Sequence, residues 1–185
     1  MQKLDTLENH NKIIFLGIGS NLGNRIKNIR RTYRFISFFC KIINISNYYE
    51  TKSWPNANYP KYLNIIVKCT TDLSLQSLFK KLKDIEKKLG RIKKYKNMPR
   101  TCDIDIIDYN QLNLKVSLMK DVIICPHPRI CERNFVLLPL YEVDKKWVHP
   151  KNLKTITYLL KKLKPRSLRT IKFFKSRDII NYAKI

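Results

Sequence analysis

Glycine is scarce in this chain, with only four among 185 residues, at positions 17, 19, 23 and 90. Three of them cluster around the end of an apolar stretch, where nucleotide-binding loops often place glycine. The dinucleotide fingerprint, however, requires glycine at position 22, where this chain has Leu22, and no Walker-type G-x-x-x-x-G-K-[ST] sequence occurs. Both motifs are therefore excluded, and any bound nucleotide must be held by another geometry.

Long apolar runs and a disulfide pattern are also missing. No uninterrupted apolar segment approaches the roughly 18 to 20 residues of a membrane span, and the N-terminal residues lack the apolar core of a signal peptide. The five cysteines are an odd number without the spacing of a small secreted domain. We therefore expect a cytoplasmic protein that does not bind membranes.

Acidic residues are few, because 14 Asp and Glu accompany 38 Lys and Arg and leave a formal net charge of +24. Such a charge attracts nucleic acid, anionic membranes and polyphosphates alike, so it does not choose among them. A biased codon usage offers a second explanation, since 27 Lys, 24 Ile and 16 Asn accompany only two Ala. The charge alone therefore assigns no function.

Apolar spacing predicts alternating strands and helices. Strand patterns occur at residues 12–18, 41–49, 62–70 and 101–109. Spacings of three and four predict helices over residues 25–39 and 75–89, capped by Asn24 and Ser74. The order strand, helix, strand, strand, helix, strand indicates an α+β fold with a ferredoxin-like βαββαβ core, an antiparallel sheet and both helices on one face.

Further elements are predicted beyond this core. They are an extra hairpin near residues 110–115, a strand at 122–125, and C-terminal helices near 133–141 and 155–163. We expect a single domain over residues 1–185, with a catalytic core of about residues 13–163 and a basic extension at 164–185. Residues 51–61, with two prolines, are expected to form an exposed loop.

Asp103 and Asp105 stand two apart on the fourth predicted strand, so their side chains share one face, roughly 6 to 7 Å apart along it. Taken alone, they are more simply explained as two solvated carboxylates. The preceding stretch, however, contains five basic residues: Arg91, Lys93, Lys94, Lys96 and Arg100. Acids suited to magnesium beside bases suited to phosphate indicate a polyphosphate site.

His127 lies in the sequence C-P-H-P-R-I-C and has two competing interpretations. A lone histidine is usually structural, whereas Cys125, His127 and Cys131 could suggest zinc. No fourth ligand at metal spacing is nearby, which disfavours zinc, and the two prolines indicate a rigid loop instead. Shortly afterwards, Arg133 and Phe135 add a cation and an aromatic ring to the same neighbourhood.

Four motifs occur in a fixed order: G-S-N-L-G-N-R at residues 19–25, Y-L-N at 62–64, P-R-T-C-D-I-D-I at 99–106 and P-H-P-R-I-C-E-R-N-F-V at 126–136. Together they closely resemble the 6-hydroxymethyl-7,8-dihydropterin pyrophosphokinases of folate biosynthesis. The resemblance implies a magnesium-dependent enzyme that transfers the β,γ-pyrophosphoryl group of ATP to the hydroxymethyl oxygen of the reduced pterin. AMP and the pterin diphosphate would be the products.

The resemblance also implies residue roles. Asp103 and Asp105 would hold two Mg²⁺ ions and act in catalysis together with Arg91 and Arg100. The residues implied to bind ATP are Arg91, Lys93, Arg100, Ile106, Ile124, His127 and Arg133, of which Ile106 and Ile124 would line the adenine site. Those implied to bind the pterin are Thr51, Trp54, Tyr62, Asn64 and Phe135. Asn64 would pair with the edge of the ring and Phe135 would stack on its face, while no residue is an obvious general base.

The chain departs from the family pattern in the loop before the strand predicted at residues 101–109, where Asn97 and Met98 replace an aromatic residue and a glycine. We expect altered loop closure there. One alternative is a nucleic-acid binder on the same scaffold, but the motifs and exposed sheet aromatics of RNA-recognition modules are missing. Another is a non-catalytic relative, which the intact aspartate pair disfavours. We expect a monomer that acts on small-molecule substrates and does not bind nucleic acid.

Overall fold

Eight strands and five helices occur in the computed structural model, which describes residues 11–91, 97–118 and 121–174. The strands are β1 Lys12–Ser20, β2 Lys41–Ile45, β3 Tyr48–Thr51, β4 Tyr62–Thr71, β5 Asp103–Tyr109, β6 Leu114–Leu118, β7 Asp121–Cys125 and β8 Lys172–Phe174. The helices are α1 Arg25–Ile36, α2 Leu75–Lys88, α3 Asn134–Val143, α4 Ile156–Lys162 and α5 Pro165–Leu168.

The main sheet has the order β5-β1-β4-β3-β8, with β2 pairing along β4 beside β3, and all of these pairs are antiparallel. Its core confirms the predicted ferredoxin-like α+β fold. The predicted strand over residues 41–49 was wrong as one continuous element, because Ser46 and Asn47 interrupt it. The Ser46 hydroxyl accepts the backbone N–H of Ile66, and the backbone N–H of Asn47 donates to Glu142 on α3.

Helices α1 and α2 pack on one face of the sheet, as predicted from their apolar stripes. Asn24 and Ser74 cap them by accepting the backbone N–H groups of Lys27 and Ser77. Gly90 then adopts a φ of +80°, which lets the chain turn away just after α2. The core beneath these helices contains Leu16, Ile18, Ile29, Leu63, Val67, Leu78 and Leu82.

The opposite face is partly covered by α3 and α4. Phe15, Ile66 and Ile107 project from it and pack against Leu137 and Leu140 in a second apolar cluster. The predicted strand at residues 122–125 is confirmed as β7, whereas the hairpin predicted near residues 110–115 was wrong in its position, because β6 begins only at Leu114 and pairs with β7. The polar beginnings of β4 and β5 remain beyond the edge of α3, so a concave surface is left at that end of the sheet. No helix in the described ranges is long and apolar enough to cross a membrane.

Candidate active site

A cavity of about 650 Å³ opens at this uncovered end of the sheet. The strand register explains why its polar residues meet there, because Gly19 on β1 pairs with Asn64 on β4 and with Asp103 on β5. A Cβ atom at position 19 would lie 3.0 Å from Oδ1 of Asn64, so glycine leaves room for that amide. Asp105 and Phe135 also line the cavity, so residues distant in sequence form one site.

Three arginines surround the aspartate pair. Arg91 Nη1 lies 2.7 Å from Asp103 Oδ1, and Arg100 Nη1 lies 3.4 Å from the same oxygen. Arg133 Nη1 lies 3.4 Å from Asp105 Oδ2. The structure therefore brings together the acids and bases that the sequence placed near one another, and it adds Arg133 from a separate element.

Glu86 anchors this cluster and was missed by the sequence analysis. It is only 2% exposed on α2, where its carboxylate contacts Arg91 Nη1 and accepts the backbone N–H of Ile104 at 2.8 Å. Lys83 Nζ lies 2.9 Å from the other carboxylate oxygen. Because Glu86 lies on α2 and binds the backbone of β5, it fixes the Arg91 guanidinium beside Asp103.

Asn21 holds Arg100 in place and joins three loops. Its side-chain Oδ1 accepts the backbone N–H of Arg100 at 2.7 Å, while its Nδ2 donates to Ser53 Oγ at 3.2 Å and to the Pro60 carbonyl at 3.1 Å. Arg100 Nε in turn donates to the Tyr62 hydroxyl at 2.8 Å. The buried amide thus orients a cationic side chain over the cavity.

His127 is oriented by backbone contacts. Its backbone N–H donates to the Ile107 carbonyl at 2.9 Å, and its ring Nδ1 accepts the backbone N–H of Arg129 at 3.1 Å. Burial lowers the pKa of His127, partly offset by Asp105. A neutral ring whose Nδ1 is an acceptor carries its proton on Nε2, which lies 3.4 Å from Arg133 Nη1; since both nitrogens are then donors, this approach is a contact and not a hydrogen bond. His127 is therefore a neutral N–H donor beside the arginines.

The other end of the cavity contains the uncharged side chains of Thr51, Asn64 and Phe135. Asn64 is 9% exposed, and its Nδ2 donates to Thr51 Oγ1 at 3.1 Å and to the Tyr49 carbonyl at 3.4 Å. These contacts leave Oδ1 as the amide acceptor on the side of Gly19. The guanidinium carbon of Arg133 lies 5.6 Å from the centre of the Phe135 ring.

Comparison with known proteins identifies the family. The family model of 7,8-dihydro-6-hydroxymethylpterin-pyrophosphokinase (HPPK) matches residues 15–145. The chain belongs to the HPPK family. It is 37% identical over 137 residues to the Aquifex aeolicus 2-amino-4-hydroxy-6-hydroxymethyldihydropteridine pyrophosphokinase, covering 74% of this chain and 83% of the relative. The Bacillus subtilis protein of the same name is 33% identical, with 72% and 78% covered.

Longer HPPK relatives contain additional regions. The chain is 38% identical to the folic acid synthesis protein FOL1 of Dictyostelium discoideum over 76% of its own length, but it covers only 21% of that protein. Plasmodium falciparum HPPK-DHPS in its wild-type crystal structure has a TM-score of 0.69 at 17% identity, with 85% of this chain and 45% of that chain covered. The structural likeness supports the fold, and this chain spans about half of that solved chain.

The predicted HPPK site residues fall into three groups. Thr51, Trp54, Tyr62, Asn64, Arg91, Arg100, Asp103, Asp105, His127, Arg133 and Phe135 all line the cavity. Ile106 is 8% exposed in the core beneath the helices, and Ile124 is 40% exposed on β7, so the structure places neither in the cavity lining and their adenine roles stay predictions. Lys93 lies outside the described residues.

Trp54 and Arg129 meet across the cavity mouth. The guanidinium carbon of Arg129 lies 4.9 Å from the centre of the Trp54 ring, which is 68% exposed. Among the described residues, no three His, Cys, Asp or Glu side chains are grouped as metal ligands. Cys125 is fully buried, and Cys131 instead accepts a hydrogen bond from Asn152 at 3.7 Å.

Proposed function

We propose that the chain transfers the β,γ-pyrophosphoryl group of ATP to the hydroxymethyl oxygen of 6-hydroxymethyl-7,8-dihydropterin, giving AMP and the pterin diphosphate. The HPPK family and its folate-synthesis relatives support pyrophosphate transfer in folate biosynthesis. The observation that carries the residue-level proposal is the division of one cavity. An aspartate pair among three arginines occupies one end, and a buried amide with an aromatic ring occupies the other.

Asp103 and Asp105 suit magnesium. Both offer carboxylate oxygens from one face of β5, and their side chains remain 26% and 40% exposed, so a hard cation can reach them. We assign two Mg²⁺ ions to this pair, where the metal would neutralise charge on the triphosphate. The contacts of Arg100 and Arg133 with these carboxylates would have to break when the metal binds, which frees the two arginines for the phosphates.

The triphosphate of ATP lies along the arginines in this proposal. Arg91, Arg100 and Arg133 provide charge-assisted N–H donors from three elements, so they hold the phosphates from different directions. His127 adds a neutral Nε2–H donor. Because its Nδ1 already accepts the Arg129 N–H, this ring is unsuited to remove a proton through Nδ1 and serves to position phosphate.

The pterin occupies the neutral end. Asn64 Oδ1 accepts an N–H from the edge of the ring, and Phe135 stacks on its face. Thr51 fixes the Asn64 amide by accepting from its Nδ2, while Tyr62 and Trp54 line the remaining walls. A fixed amide rejects ring analogues that lack the matching N–H, because its oxygen would then be left without a donor.

We further propose that the enzyme acts in the cytoplasm as a monomer on small molecules and does not bind nucleic acid. Five free cysteines, four of them buried, suit a reducing compartment. Helix α3 covers part of the sheet face that RNA-recognition modules keep open for bases, which argues against that function.

The decisive assay combines the protein with ATP, Mg²⁺ and the hydroxymethyl-dihydropterin and separates the nucleotide products. We expect AMP that depends on both the pterin and the metal, and EDTA should abolish its formation. A reaction without the pterin is the matched control for ATP hydrolysis. Formation of ADP, or AMP at the same rate without the pterin, would contradict the proposed reaction.

A further inference from the structure

Residues 164–174, here called the strap, form a wall of the cavity from outside the family match. The strap contains α5 and β8, whereas the HPPK match ends at residue 145. Ser167 and Thr170 line the cavity beside Asn134 and Phe135. The cavity of this chain therefore includes residues that the family motifs do not supply.

One end of the strap is bound to the start of α3. Asn134 Nδ2 donates to the Ser167 carbonyl at 2.6 Å and lies 3.4 Å from Thr170 Oγ1. The Thr170 hydroxyl itself donates to the Ser167 carbonyl at 2.7 Å. Asn134 is 7% exposed and stands between Arg133 and Phe135 in the chain, so this cluster fixes the backbone that carries both side chains.

The other end of the strap is bound to β3, the strand whose Tyr49 and Thr51 accept hydrogen bonds from Asn64. In the β3–β8 pairing, residue 173 is opposite Tyr49 and Lys172 is opposite Glu50. The Tyr49 carbonyl accepts from Asn64 Nδ2 at 3.4 Å, and Thr51 at the end of the same strand accepts from it at 3.1 Å. The strap thus supports β3 from its outer edge while β4 pairs on the inner edge.

We propose that the strap sets the affinity of this enzyme for the pterin by fixing the distance between Phe135 and Asn64. This inference rests on the proposed function, because it takes those two residues as the ring contacts. The strap touches the elements of both, through Asn134 at one end and through β3 at the other. Asn134 and Thr170 are positioning residues, and neither acts on the phosphates.

Removal of the Thr170 hydroxyl tests the proposal without removing bulk. In Thr170→Val we expect the KM for the pterin to rise about tenfold, the change produced by losing about 1.4 kcal/mol of binding. The KM for ATP and the kcat at saturating pterin should change less than about twofold, because the arginine end is untouched. Asn134→Ala should have a larger effect in the same direction.

Two controls separate positioning from simple destabilisation. Thr157→Val removes an exposed hydroxyl from α4, away from the cavity lining, and should leave both KM values unchanged. Thr170→Ser keeps the hydroxyl and should restore the pterin KM. The affinity for 6-hydroxymethylpterin, measured by fluorescence with a nonhydrolysable ATP analogue present, should follow the same order among the variants.

An unchanged pterin KM in folded Thr170→Val would overturn the strap proposal while leaving the proposed function intact. Equal increases in the KM values for ATP and the pterin would also overturn it, because they would indicate general loss of structure. If the unmodified protein makes no AMP and binds no pterin, the proposed function fails instead. Thr170→Val decides the question even if Asn134→Ala does not fold.

Discussion

The two ends of the cavity are built from different interactions. The arginine end, consisting of Arg91, Arg100, Asp103, Asp105 and Arg133, is held by ion pairs between separate elements. The amide end, consisting of Thr51, Asn64 and Phe135, is held by hydrogen bonds and by the pairing of β3 with β4. One cavity therefore combines exchangeable charge contacts with fixed neutral ones.

Exposure shows what this difference means for binding. The ion-paired side chains are 15% to 40% exposed, whereas Asn64 and Thr51 are each 9% exposed. Partly exposed ion pairs are weak individually, so Arg100 and Arg133 can leave the aspartates when phosphates and cations arrive, while Arg91 stays paired with buried Glu86. Buried hydrogen bonds keep their geometry, because breaking them leaves unpaired polar atoms. We therefore expect ATP to rearrange the side chains of the arginine end, and the pterin to enter a preformed pocket at the amide end.

The largest effect is expected from Asp105→Asn, which removes charge at the arginine end and keeps the shape of the side chain. We expect kcat/KM to fall at least about 1000-fold, because the metal and phosphate arrangement loses one of its two carboxylates. Steady-state kinetics and circular dichroism measure activity and folding. Asp72→Asn, on the exposed turn after β4, is the matched control, and a loss of less than tenfold in Asp105→Asn would remove its assigned role.

Glu86→Gln tests whether the arginine end depends on its buried anchor. The amide still accepts the Ile104 N–H but no longer balances the charge of Arg91, so we expect the KM for ATP to rise about tenfold. The free energy of unfolding in urea should fall by about 2 kcal/mol, because a buried charge loses its partner. Asp84→Asn removes an exposed acid from the same helix and should change neither. Equal KM values for ATP and equal free energies of unfolding in Glu86→Gln and Asp84→Asn would show that burial of Glu86 has no functional consequence.

Asn64→Ala tests whether the amide end binds the pterin independently of the arginine end. We expect the KM for the pterin to rise about 10- to 100-fold, since the ring loses its hydrogen-bond acceptor, while the KM for ATP stays within about twofold. Asn44→Ala on the exposed part of β2 is the control. A parallel increase in both KM values would mean that the two ends are not independent.

His149 provides the smallest expected effect on activity, because it lies outside both ends. Burial lowers the pKa of His149, so the folded protein holds its proton less tightly than the unfolded chain. As the pH falls through 6.5, the ordinary pKa of histidine, the unfolded chain binds more protons than the folded protein does. The free energy of unfolding should therefore be greatest above pH 6.5 and should fall as the pH decreases. Urea unfolding of His149→Gln should show a flatter pH dependence, with kcat/KM changed less than about twofold. An unaltered pH dependence would exclude this histidine as a cause.

Sequence patterns predicted the elements that follow a local period. Alternation on β5 correctly placed Asp103 and Asp105 on one face and Ile104 and Ile106 on the other, in the core. The same alternation explains why Ile106, assigned to adenine by resemblance alone, does not line the cavity. Local alternation was sufficient on β5, but over residues 41–49 it joined β2 and β3 into one strand, because it does not include the contacts of Ser46 and Asn47 with other elements.

Long-range contacts were not predictable from such periods. Glu86 lies at helical spacing from Leu82 and Leu89, which is a signal of burial, but its partners Arg91 and Ile104 depend on how α2 meets β5. The strap is joined to the cavity through Asn134 and β3, and no local pattern in its basic sequence indicates either contact. Sheet order and register decide these contacts.

The position of a labelled phosphate distinguishes transfer of a pyrophosphoryl group from transfer of a single phosphoryl group. The enzyme is supplied with Mg²⁺, the hydroxymethyl-dihydropterin and ATP radiolabelled only at the β-phosphate, and the pterin and nucleotide products are separated. Transfer of a pyrophosphoryl group predicts that the label appears in the pterin product and that the nucleotide product is unlabelled AMP. Label retained in ADP, with a pterin that carries a single phosphate, would contradict it.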